Sequence, residues 1–152
     1  MINPTIPVAI ENNTNCDSTA FIAGDSITRI LSTKKMTDSN LKVHVKTHPG
    51  ARIRTVENSL IKLAEEDSSV IKKTKAVVLH VGTNNVSDAD QPETVADEMR
   101  DLANTINNIN HRAKIIVSSV LPRRNDKLVN RVITATNKSL RQACEEKGYY
   151  FF

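Results

Sequence analysis

The run Lys75-Ala76-Val77-Val78-Leu79-His80-Val81 constrains the fold more than any other segment of this chain. Its apolar residues are continuous rather than alternating, the pattern of a strand covered on both faces, and such strands belong to parallel sheets joined by helical crossovers. Lys114-Ile115-Ile116-Val117-Ser118-Ser119-Val120-Leu121 has the same character and is stopped by Pro122. Ala20 to Ala23 is strand-like, and Leu41-Lys42-Val43-His44-Val45 alternates with period two.

Between these strands the period changes. Ile27 to Leu31 opens a short helix, and Val56, Leu60, Leu63 and Ala64 have helical spacing. Asp90, Pro92 and Glu93 mark the start of a helix whose stripe is Val95, Met99, Leu102, Ile106 and Ile109. Asp126 precedes another, with Val129, Val132, Ile133, Leu140 and Cys144 on one side, ended by Gly148. Tyr149 to Phe152 begins a fifth strand, expected to be incomplete. Strands alternating with helices give a parallel three-layer α/β sheet, which binds ligands beyond the carboxyl ends of its strands. In the order 2-1-3-4-5, the loops after the first three strands are neighbours.

A length of 152 residues is enough for one domain. Residues 1–18, rich in Asn, Thr and Pro and without periodicity, are expected to be a flexible leader, with the domain over 19–152. The net charge of +4 is a mild basic excess. Only two Tyr and three Phe occur, four of them in Tyr149 to Phe152, which counts against a base-stacking platform for nucleic acid. Cys16 and Cys144 form neither a disulfide framework nor a metal-ligand spacing with the four histidines, so a reduced, cytoplasmic setting is expected and no metal or other cofactor. The first residues read as neither a signal peptide nor a membrane span.

The chemistry-bearing residues fall on the site edge. Gly24-Asp25-Ser26 follows the first strand and opens a helix, a position suited to a nucleophile. His48-Pro49-Gly50-Ala51-Arg52 follows the second strand, and Gly82-Thr83-Asn84-Asn85 the third. Acyl transfer needs a hydroxyl and donors aimed at the developing oxyanion, and these loops offer the Ser26 hydroxyl and N–H, the Gly50 N–H and the Asn84 amide. Taken alone, Gly-Asp-Ser also fits a tight turn in which Asp25 or Ser26 caps the helix.

In these blocks the sequence resembles the SGNH, or GDSL-type, hydrolases, which have a flavodoxin-like fold and cleave acyl esters. The resemblance implies Ser26 as nucleophile, Gly50 and Asn84 as oxyanion-hole donors, and a small ester substrate. More narrowly, Ile22 to Ile27, Pro49 to Ile53, Leu79 to Asn84 and Val117 to Arg123 look like the esterase-type domain of LINE retrotransposon first-open-reading-frame proteins. Two departures stand out. The third block usually continues with Asp where this chain has Asn85. The family's Asp-x-x-His block after the fifth strand has no counterpart here, so the expectation is a truncated domain lacking its general base and turning over esters at a negligible rate.

The histidines present are not expected to fill that role. His48 reads as a solvated loop residue, His80 as a packed core or interface residue inside the third strand away from its tip, His44 as mid-strand, and His111 as lying at the far end of the third helix. The alternative is a non-catalytic module binding an anionic ligand or RNA through Arg52 and Arg54 after strand two and Arg123, Arg124 and Lys127 after strand four. Solvated loop charges are the plainer reading of those residues.

Overall fold

Residues 18–152 are described by a computed structural model. In chain order the elements are β1 (Ser18–Gly24), a 3₁₀ turn (Ser26–Ile30), α1 (Thr33–Met36), β2 (Leu41–Thr47), α2 (Ile53–Glu66), α3 (Ser69–Lys72), β3 (Ala76–His80), α4 (Thr83–Ser87), α5 (Pro92–Ile109), β4 (Lys114–Val117), α6 (Lys127–Lys147) and β5 (Tyr150–Phe151). The five strands pair in parallel in the order β2-β1-β3-β4-β5. The sheet is thus the flavodoxin-like one expected, with a fifth strand of two residues. Ser18 already belongs to β1; the rest of the expected leader, and Cys16, lie outside the described residues.

The helices form where local signals agree. Asp126 caps α6 by accepting the Val129 N–H at 3.0 Å, and Gly148 ends it in the left-handed region at φ 72°. Pro92 sits in the first turn of α5, where its missing N–H costs nothing. The buried faces of α2 (Ile53, Val56, Leu60), α5 (Val95, Met99, Leu102, Ile106) and α6 (Ile133, Leu140) join one core with Phe21, Ala23, Val77, Leu79, Ile115 and Val117 from the sheet. All of these are at most 3% exposed. At roughly 25 cal/mol per Å² of apolar area removed from water, this one-sided core dominates the stabilisation.

The other face is thinly covered. Parallel register places Val45, Ile22, Val78, Ile116 and Tyr150 in one row across it, and the first four are half-buried while Tyr150 is 55% exposed. The 3₁₀ turn and α1 pack over β2, burying Val43, whose N–H donates to Thr37 Oγ1 at 3.0 Å. The expectation that β3 is covered on both faces therefore holds for Val77 and Leu79 and not for Val78. An apolar run cannot distinguish full from partial cover.

The fourth strand is shorter than expected. It stops at Val117; the Ser118 and Ser119 N–H groups still donate to the Leu79 and Phe152 carbonyls at 2.9 and 2.7 Å, and the Asn137 side chain then takes both backbone groups of Val120, accepting its N–H at 2.8 Å and donating to its carbonyl at 2.9 Å. Among the described residues, no helix is long and apolar enough to cross a membrane.

Candidate active site

Gly24 ends β1 with Thr47 of β2 and His80 of β3 as register partners. A Cβ at this position would lie 2.2 Å from Thr28 Cγ2 and 2.6 Å from the His80 carbonyl oxygen, so glycine is required by space. Asp25 makes the last rung between β1 and β3, donating its N–H to the His80 carbonyl at 3.1 Å. Its Oδ1 accepts the Ile27 N–H at 3.1 Å, and its carbonyl accepts Thr28 Oγ1–H at 2.8 Å, which winds the chain into the 3₁₀ turn. Ser26 opens that turn, half-buried, and its hydroxyl makes no hydrogen bond among the described residues.

The second loop is fastened to the first, because the His48 N–H donates to the Gly24 carbonyl at 2.8 Å. Gly50 follows at φ +70°, exposed, in a conformation that disfavours a side chain. The third loop is fastened to the second. Asn84 Nδ2 donates to the Ala51 carbonyl at 2.9 Å, and Asn85 Oδ1 accepts the Ile53 N–H at 3.0 Å. The residues after β3 form the short helix α4 rather than the expected loop, entered through Gly82 at φ 127°. A chain of three hydrogen bonds thereby brings the segments carrying Ser26, Gly50 and Asn84 onto one sheet edge.

Asn85 is fully buried and is where the sequence departs from the resembling family. Its Nδ2 donates to Asp90 Oδ2 at 3.0 Å and to Glu98 Oε2 at 2.9 Å, so an amide stands between two carboxylates. The same acids engage the arginines of the basic edge. Arg52 pairs with Asp90 and Asp88, and the Asp90 hydrogen bond holds its guanidinium more firmly protonated than usual. Arg54 pairs with Glu57, Glu98 and Asp101 at 2.9 to 3.7 Å. Arg123 donates to Ser87 Oγ, while Arg124 and Lys127 are exposed. Two of the five cations proposed for anion binding are thus balanced within the fold.

Two histidines depart from their expected settings. His48 is half-buried rather than solvated, with Nε2 2.7 Å from Ser59 Oγ on α2, and burial lowers its pKa below the ordinary value, with Lys46 adding to the shift and the Gly24 carbonyl opposing it. His80 is the last residue of β3 and lies at the tip, not away from it, because the β3 ladder ends where the Gly24 turn begins. Its Nδ1 is 2.8 Å from Ser118 Oγ, and its Nε2 is buried without a partner. His44 is mid-strand in β2 and His111 is exposed beyond α5, as expected. Neither the tip position of His80 nor its partner Ser118 was evident from the sequence, although His80 precedes Gly82 by two residues and strand tips of one sheet edge align.

Beside the turn, Ile27, Thr28, Ile30, Leu31 and His80 line a small cleft of about 140 Å³. Larger hollows of about 390 Å³ and 580 Å³ lie between α2 and α5 and between the α4–α5 segment and α6, and none of Ser26, Gly50 and Asn84 lines either. Among the described residues no cluster of His, Cys, Asp and Glu is arranged to hold a metal ion.

No family model matches the sequence, and no curated protein matches it. Solved structures do. A member of the lipolytic protein G-D-S-L family from Veillonella parvula superposes with a TM-score of 0.74 at 15% identity, covering 88% of this chain and 76% of that one. The psychrotrophic esterase EstA from Pseudoalteromonas sp., in a structure inhibited by monoethylphosphonate, gives 0.68 at 15%, covering 90% and 76%. Axe2, an acetylxylan esterase from Geobacillus stearothermophilus, gives 0.66 at 14%, covering 88% and 74%. The chain has the fold of the GDSL-type, or SGNH, lipases and esterases.

Proposed function

We propose that this chain is a serine ester hydrolase in which Ser26 is the nucleophile. The observation that carries the reading is the bracing of the three loops: Asn84 Nδ2 bonded to the Ala51 carbonyl, with the His48 N–H bonded to the Gly24 carbonyl, fixes Gly50 and Asn84 relative to the Ser26 turn. Ser26 Oγ attacks the ester carbonyl, and the oxygen that becomes negative is received by the Ser26 and Gly50 N–H groups and the second N–H of Asn84. Neither backbone N–H is taken up by a hydrogen bond among the described residues. Preorganised donors of this kind lower an acyl-transfer barrier by roughly 3 to 4 kcal/mol each.

The cleft of about 140 Å³ beside the turn is well below the volume that encloses a drug-sized ligand and favours a short acyl group such as acetyl. Kinship with the esterase-type domain of LINE retrotransposon first-open-reading-frame proteins is the narrower form of this reading. It rests on the four sequence blocks around Ser26, Gly50, Asn84 and Val117 to Arg123. A reducing, cytoplasmic setting belongs to the same reading and is supported by Cys144, a buried free thiol that burial and Glu145 push up to about 11.

Hydrolysis of p-nitrophenyl acetate, compared with a Ser26→Ala variant, tests the proposal together with fluorophosphonate labelling mapped by mass spectrometry. Turnover lost in the variant and a label on Ser26 are expected. Equal rates in both proteins with no label at Ser26 refute it.

A further inference from the structure

The hollow of about 580 Å³ between the α4–α5 segment and α6 falls within the volume range of small-molecule sites. Its walls are mainly apolar, with Val86 and Pro92 from the α4–α5 segment facing Leu128, Val129 and Val132 from α6. Leu128 is 74% exposed and Val132 38%, so apolar surface there is open to solvent. Ala89 also lines the hollow, and it follows α4 at φ 61°, a position where glycine is the usual residue. The chain carries a methyl group there against backbone strain, and residues held in that way cluster at functional sites.

The charges at the hollow are unequal in what they have left to bind. Asp90 is already engaged by Arg52 and by Asn85 Nδ2. Arg131 lines the hollow, is exposed, and forms no ion pair among the described residues. Lys127 precedes it by one turn of α6 and shares its face, while Arg123 is held beside the hollow by donating to the lining residue Ser87. Neither forms an ion pair among the described residues, and Asp126, the acid next to Lys127, is committed to capping α6. Apolar walls with a surplus of cations suit an apolar molecule that carries an anion, whose oxygens a guanidinium binds in pairs.

The connection after β3 joins this hollow to the candidate site. His80 lines the small cleft beside the Ser26 turn, Val86 and Ser87 line the hollow, and Asn84 lies between them in the chain. Asn84 and Ser87 belong to the same short helix, so the hollow begins within one helical turn of the oxyanion donor. An ester has two halves that diverge from its carbonyl carbon, and the two spaces differ fourfold in volume, about 140 against about 580 Å³. We propose that the hollow receives the alcohol half of the ester, and that this alcohol is a large, mainly apolar group bearing an anion that meets Arg131. The proposal rests on the hydrolase reading of Ser26 and names the substrate class for it: a short acyl ester of an anionic, amphiphilic alcohol. Val132 and Arg131 are then specificity residues, acting on which alcohol is accepted and not on the acyl carbon.

The test uses the full chain and two acetyl esters, p-nitrophenyl acetate and an acetoxynaphthalenesulfonate, whose alcohol is a larger apolar ring system with an anion. Values of kcat/KM for both are measured in wild type, Ser26→Ala, Val132→Asp, Arg131→Gln and Ile61→Asp, the last in the separate hollow between α2 and α5. The alcohol alone, hydroxynaphthalenesulfonate, is titrated into wild type and Ser26→Ala and its contacts are mapped by ¹⁵N–¹H NMR shifts. Wild type is expected to prefer the sulfonate ester by about tenfold or more, Val132→Asp and Arg131→Gln to reduce that preference by about tenfold, and Ile61→Asp to retain it. The alcohol is expected to shift the amides of Val86, Leu128 and Val132 in wild type and Ser26→Ala alike. Ser26-dependent hydrolysis with no preference between the esters, a preference that both hollow variants leave intact, or shifts confined to other parts of the fold overturns the assignment and leaves the Ser26 reading standing. Absence of Ser26-dependent turnover of either ester defeats the hydrolase reading, and the role of the hollow as an alcohol site with it.

Discussion

The Asn85 side-chain amide lies 3.0 Å from the Asp90 carboxylate and donates to it, while its second proton goes to Glu98. The site edge is therefore braced through an amide whose oxygen holds the Ile53 N–H and whose nitrogen separates two acids. An amide, where the resembling family usually has a carboxylate, therefore stands between two acids here. The surrounding carboxylates supply the negative charge, and the neutral residue supplies the donors.

Replacing Asn85 by Asp puts a third carboxylate against Asp90 and Glu98 and removes two charge-assisted hydrogen bonds. A loss of about 2 to 4 kcal/mol of stability at neutral pH is expected, with smaller loss near pH 5, where a carboxyl crowded by two carboxylates protonates more readily. Urea denaturation of wild type and Asn85→Asp at the two pH values checks this. Equal midpoints at neutral pH contradict the compensation argument.

The two glycines of the candidate site are needed for different reasons, and alanine separates them. At Gly24 the added Cβ meets backbone, the His80 carbonyl oxygen at 2.6 Å, so Gly24→Ala is expected to cost about 1 to 3 kcal/mol and to displace the turn that presents Ser26. At Gly50 nothing lies within 4 Å of the added carbon, and Gly50→Ala meets only the penalty of φ +70°, about 1 to 2 kcal/mol. Thermal unfolding of both variants, with Ser26 phosphonylation rates, is the measurement. Faster labelling in Gly24→Ala than in wild type would contradict the steric account.

Thr136 lies on the buried face of α6. It is fully buried, and its Oγ1 has no hydrogen-bond partner among the described residues. Valine keeps the shape and removes the stranded hydroxyl, so Thr136→Val is expected to leave stability unchanged or to raise it by up to about 1 kcal/mol. A lower denaturation midpoint in Thr136→Val would show that the hydroxyl is satisfied in solution.

Acid sensitivity is expected from His48 and His44. Burial is the largest cause that lowers both pKa values, with Lys46 adding for His48 and Lys42 for His44, and the Gly24 carbonyl opposing at His48. The unfolded chain then binds protons at a higher pH than the fold does. Stability is full above the unfolded value of about 6.5 and falls as the pH drops below it. His48→Gln is expected to flatten the decline in ΔG of unfolding between about pH 7.5 and 5.5 relative to wild type. A profile as steep as the wild type's would remove His48 as a source.

The sequence alone determined the parallel α/β order of elements, the long helices α2, α5 and α6, and the assembly of Gly24-Asp25-Ser26, Gly50 and Asn84 on one edge. These features are local: period and capping fix the element type, and parallel pairing puts every strand's carboxyl end on the same side. Tertiary structure decided where the strands stop and what covers them. β3 ends at His80, whose carbonyl takes the last β1 rung from the Asp25 N–H, β4 ends at Val117 shortly before Asn137 captures Val120, and the row through Ile22, Val78 and Ile116 is only half covered. The same non-local bonds made His48 a tethered residue, gave Asn85 its two acids, and set His80 beside the Ser26 turn with one nitrogen fixed by Ser118. Those outcomes depend on partners as far apart in sequence as Asp25 and His80, and hydropathy or spacing along the chain contains no term for them.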